Sequence, residues 1–128
     1  MTLHIVRLGS PRGPDEGIRI GTVRRPPRGV SKAEFASQNW YDVWYPTLAP
    51  SAETMRLGQA AQTPAQWLGF TRKYKVEMAS PEAKHALNLL AALSHTSQLS
   101  VGCYCANEAH CHRSVLRELL REASAKLA

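Results

Sequence analysis

Long apolar runs are missing from this 128-residue chain, and a helix needs roughly 18 consecutive apolar residues to span a bilayer. A signal peptide is missing too, because Met1–Leu8 is short and interrupted by His4 and Arg7. A soluble protein is therefore expected, with a cytoplasmic location and no membrane partner. Cysteine is scarce: three residues, an odd number, which in a reducing compartment argues against a disulfide framework. No internal repeat and no low-complexity tract is present. What remains is ordinary globular material, 44% hydrophobic and 20% charged, of a length suited to a single domain over residues 1–128.

Negative charge is thin at the start of the chain. Residues 1–32 hold Arg7, Arg12, Arg19, Arg24, Arg25, Arg28 and Lys32 against Asp15 and Glu16 alone, while the rest of the sequence is close to neutral. A basic excess confined to one segment points to an anionic partner, such as phosphate, nucleotide or nucleic acid. A merely solvated basic face is the plain alternative.

The pattern predicts strands at Leu3–Leu8, Ile18–Val23 and Leu99–Cys105. Between the first two, three glycines and two prolines in residues 9–17 predict a loop. Ser31 can cap a short helix near Lys32–Ser37. Ser51, Thr63-Pro64 and Ser80-Pro81 are helix-start signals. Trp67, Phe70, Tyr74 and Met78 then recur at helical spacing, as do Leu87, Leu90 and Leu93. A last helix is expected over His112–Lys126, with Arg113, Arg117 and Arg121 as a charged stripe. Strands alternating with such helices predict a small α/β layered fold, with a largely parallel sheet flanked by helices.

The chemistry is concentrated near the C-terminus, where Cys103, Cys105 and Cys111 fall within nine residues, with His110 and His112 flanking the last of them. On a strand running to Cys105, Cys103 and Cys105 would share a face. The end of a strand, a loop and the start of a helix form the usual ligand crevice of an α/β sheet, and a helix N-terminus favours an anion. Cys103, Cys105, Cys111 and His112 make a Cys3His set suited to zinc. Ligation by both Cys111 and His112 requires Cys111 to lie before the first turn, since a regular helix splays adjacent residues by roughly 100°. Cys111 can alternatively be a reactive thiol beside His112, or the cysteines can be small buried hydrophobes. The Cys-loop phosphatase spacing, with five residues between nucleophile and Arg, is absent.

Three features together resemble a bacterial family known as domain of unknown function 488: a basic turn, aromatic residues before Pro46, and Cys-His-Arg at the start of the last helix. The family's turn reads Asp-Arg-Leu-Trp-Pro-Arg-Gly, and Arg24, Pro27, Arg28 and Gly29 match it, with Val23 and Pro26 at the Asp and Trp positions. The family's Cys-x-Glu and Cys-His-Arg are matched by Cys103, Cys111, His112 and Arg113, with Cys105 at the Glu position. The resemblance brings no established reaction, so function has to come from the site.

The expected function is binding of a small phosphate- or nucleotide-like anion. Arg24 and Arg28 would converge with His112, Arg113 and the last helix's N-terminus, so that Arg28 and Arg113 meet at one pocket. Trp40, Tyr41 or Tyr45 would stack a ring. If the protein is an enzyme, His112 is the candidate acid or base, with Cys111 as its neighbour. The alternative is a non-catalytic nucleic-acid binder using the basic N-terminal face, although no named binding motif is present.

Overall fold

A computed structural model describes residues 1–128. Four strands, β1 (Leu3–Arg7), β2 (Ile18–Gly21), β3 (Val43–Trp44) and β4 (Leu99–Cys103), form one sheet in the order β1-β4-β2-β3, with every pair parallel. The helices are α1 (Ala52–Ala60), α2 (Pro64–Glu77), α3 (Pro81–Leu93) and α4 (His112–Glu122). The expected α/β class and parallel sheet are therefore present. No helix is long and apolar enough to cross a membrane.

The helix-start signals work as the sequence implies. The side chains of Ser51, Thr63 and Ser80 accept from the backbone N–H of Thr54, Gln66 and Ala83, and proline opens both α2 and α3. Helices α2, α3 and α4 bury Phe70, Tyr74, Leu87, Leu90, Leu116 and Leu120 against Leu3, Ile20, Leu99 and Val101 of the sheet. Alternation along the strands sends Arg19, Gly21, Ser100 and Gly102 to the opposite face. Loops cover that face, and Arg19 holds them. Its fully buried guanidinium donates to Glu16 and to the carbonyls of Ser10 and Asn39.

Several elements end earlier than expected: β1 at Arg7 rather than Leu8, β2 at Gly21 rather than Val23, and the short helix after Ser31 at Glu34 rather than Ser37. The last helix ends at Glu122 rather than Lys126, because Ser124 adopts φ 70° and the tail turns back so that Leu127 pairs with Leu3. Strand β4 ends at Cys103 rather than Cys105. The alternation that would put Cys103 and Cys105 on one face stops between them.

Candidate functional site at the C-terminal edge of the sheet

In a parallel sheet all strands end on one side. Here that side gathers Leu8 after β1, Thr22 and Val23 after β2, Tyr41, and Cys103 at the end of β4. Leu8, Val23, Tyr41, Cys103 and Cys111 form a small buried cluster of their own, separate from the main core. Two bonds tie the basic turn to it: the Tyr104 hydroxyl donates to the Arg25 carbonyl at 2.8 Å, and His112 Nε2 lies 2.8 Å from the Thr22 carbonyl. The sequence-distant segments 22–25 and 103–113 are thereby neighbours.

The start of α4 is set by Cys111, which holds an extended conformation (φ −134°, ψ 152°) ahead of the helix and offers no side-chain cap. Its sulfur is therefore not splayed around the helix away from His112, and it lies 3.8 Å from His112 Nδ1. It also touches the Cys103 sulfur. The ligand atoms of Cys103, Cys111 and His112 all lie within 4.8 Å of one another, and all three residues are buried. Cys105 stands outside this group and is half-buried. A carbonyl only accepts, so the Thr22 contact fixes the proton of His112 on Nε2 and leaves Nδ1 as a lone pair facing the thiol. Burial pushes the His112 pKa down to about 4, with the nearby Arg113 adding to the effect against the pull of the Thr22 hydrogen bond. The imidazole is neutral at pH 7.

Arg113 is the unusual residue. Only 4% of it is exposed, yet it makes no ion pair. One guanidinium nitrogen, Nη2, donates to the Cys105 carbonyl at 2.6 Å, while Nε is buried with no partner. The acid in its surroundings, Glu108, has both oxygens on Arg117, at 2.8 and 3.0 Å. Burial pulls the Arg113 pKa below the ordinary guanidinium value; Glu108 opposes this, and the charges of Arg7 and Arg117 reinforce it. A buried cation without a counter-charge is costly, and most buried polar groups find partners. The Tyr41 hydroxyl is a second buried group without one.

Of the other expected site residues, Trp40 is at this edge, packed edge-to-face on Tyr104 at 5.8 Å. Tyr45 instead packs against the main core. Arg24 points away, its Nε and Nη2 donating at 3.1 Å to the carbonyls of Pro50 and Ala49. Arg28 is exposed on the basic turn. Two hollows of about 430 and 420 Å³ lie elsewhere, between α1 and α2 and along β1. Arg7 and Tyr104 escaped the sequence reading. The register pairs Arg7 with Cys103, and its Nε donates to the Tyr104 carbonyl at 3.4 Å. That pairing is legible only once β1 and β4 are known to be neighbours.

Residues 3–124 match the family described as the active DUF488-N3 subclade. The chain belongs to the DUF488 family. The match spans both the basic turn and the Cys-His-Arg segment of this DUF488 protein, the two stretches that the fold brings to one edge. No curated protein and no solved structure matches the chain.

Proposed function

We propose that this DUF488 protein binds a small phosphate-bearing ligand at the C-terminal edge of its sheet, between the end of β4 and the first turn of α4. The observation that carries the reading is Arg113, a buried guanidinium with no ion pair and with an unpartnered Nε. An anion would supply both the missing charge and the missing acceptor, and the planar guanidinium suits phosphate through paired hydrogen bonds. Arg7 adds a second positive charge, and the uncapped first turn of α4 adds its dipole. Trp40 and Tyr104 offer aromatic surface beside it, which favours a ligand carrying a ring, such as a mononucleotide.

The experiment is a thermal-shift panel of phosphate, pyrophosphate, mononucleotides and uncharged nucleosides. A ligand that binds the native state alone at 100 times its Kd adds about 2.7 kcal/mol of stability. Phosphate-bearing compounds are expected to raise Tm by several degrees and uncharged nucleosides to leave it unmoved. Equal shifts from charged and uncharged compounds, or none from either, would overturn the reading. Binding of nucleic acid alone, with affinity falling steeply as salt rises, would favour a nucleic-acid interface over a small-ligand site.

A further inference from the structure

We infer that Cys103, Cys111 and His112 form a zinc site that ties the last strand to the last helix, with Cys105 outside it. This inference does not depend on the phosphate reading, because it rests on different atoms and is measured without an anion.

Three observations support it. The donor atoms of the three residues lie within 4.8 Å of one another in a buried position. The Cys111 sulfur and His112 Nδ1 are 3.8 Å apart, close to the about 3.6 Å edge of a tetrahedron built from ordinary Zn–S and Zn–N lengths. The orientation of His112 is also that of a ligand. Metal-binding imidazoles commonly give their other N–H to a carbonyl or carboxylate, which fixes the tautomer and aims the lone pair. Here Nε2 gives its proton to the Thr22 carbonyl at 2.8 Å, and Nδ1 faces the sulfurs.

The spacing of the cysteines points the same way. Their Cα atoms are 8.0 Å apart, wider than the roughly 4.4–6.8 Å that a disulfide spans, while their sulfurs touch and must move apart to admit an ion. Two thiolates and one neutral imidazole around Zn²⁺ give a site with no net charge, the least costly arrangement to bury. Binding releases both thiol protons to solvent. Thiolate and imidazole donors select zinc over magnesium or calcium, which prefer oxygen. Three protein ligands leave one coordination position for an exogenous ligand. Tyr41 packs in the same cluster as both cysteines, and its buried hydroxyl has no partner.

The test begins with protein purified under reducing conditions without chelator, dialysed against zinc and then against metal-free buffer. Elemental analysis is expected to find about one zinc per chain. Replacing the zinc with cobalt(II) is expected to give the near-ultraviolet band of sulfur-to-cobalt charge transfer and visible bands of tetrahedral cobalt. Cys105→Ser is expected to keep the metal and both bands, whereas Cys103→Ser and Cys111→Ser lose them. The cobalt spectrum of the unaltered chain decides the question if those two variants fail to fold. Loss of zinc in Cys105→Ser would overturn the three-residue assignment, and so would retention in Cys103→Ser. A metal-free protein with three titratable thiols, or one whose mass is lower by two thiol hydrogens, would overturn the site altogether.

Discussion

Two arginines are almost wholly buried in this chain, and replacing each by methionine should have very different consequences for stability. Arg19 is fully satisfied: Nε and Nη2 donate to Glu16 Oε1 at 3.2 and 2.7 Å, and Nη1 donates to the Ser10 and Asn39 carbonyls at 2.9 and 2.7 Å. Arg19→Met strands the buried Glu16 carboxylate and two carbonyls, a change expected to cost about 3–5 kcal/mol. Arg113→Met gives up one bond to the Cys105 carbonyl, which costs about 1.5–3 kcal/mol for a charged donor. It also removes a buried, unpartnered Nε, a relief of about 1–3 kcal/mol, and a cation that faces the like charge of Arg7. The two terms nearly cancel, so Arg113→Met is expected to lie within about 1 kcal/mol of the unaltered protein. Urea denaturation at pH 7 measures both variants, and the thermal-shift panel then shows whether the stable Arg113→Met protein has lost its response to phosphate. The reasoning fails if Arg113→Met is destabilised as much as Arg19→Met and still responds to phosphate. Arg113 would then be a structural residue.

Three further outcomes follow from the same contacts. Tyr41→Phe removes a buried hydroxyl without a partner and should leave stability unchanged or raise it by about 1–3 kcal/mol; calorimetry showing a clear loss would mean that the hydroxyl has a partner. Gly21→Ala places a Cβ 2.3 Å from the Tyr41 ring, so denaturation should show a loss of about 1–3 kcal/mol, and a neutral result would show that the ring moves freely. Burial resists charging Glu16 and Asp42, but the Gly13 N–H and Arg19 around one, and Arg12 and the Arg19 N–H around the other, outweigh it and hold both pKa values low. The hydrogen bonds from Arg117 hold Glu108 low as well, against burial. Folded pKa values below the unfolded ones give stability that is complete above the ordinary carboxyl range of about 4 and is lost as pH falls through the folded values. A urea midpoint that stays flat from pH 7 to pH 3 would contradict this.

Much of the fold was legible in local chemistry. Ser51, Thr63-Pro64 and Ser80-Pro81 mark real helix starts because capping acts over three residues and needs no tertiary partner. The helix after Cys-His-Arg has no side-chain cap and was legible instead from the helical spacing of Leu116, Leu119 and Leu120. Contacts between distant segments were not. Arg24 reads as a ligand-binding arginine until the fold brings the Ala49 and Pro50 carbonyls to its guanidinium. Arg19 reads as one more basic residue until the loops close over its face of the sheet. Cys105 reads as a fourth zinc ligand from its spacing to the other donors, but β4 ends at Cys103 and the group that the fold brings together is Cys103, Cys111 and His112. The residue that decides the proposed function, Arg113, was visible in sequence as the neighbour of His112, but its lack of a counter-charge is a property of the packed structure.

The central claim is that Arg113 anchors a small anion, and titration calorimetry of pyrophosphate and a mononucleotide into the unaltered protein and Arg113→Met tests it most directly. The account predicts saturable binding of one ligand per chain, with little change between about 50 and 200 mM salt. It also predicts affinity weakened roughly 30-fold or more in Arg113→Met, as expected when one partner of a buried charged pair is removed. Equal affinity in the two proteins, or no binding of either ligand to the unaltered chain, would contradict it.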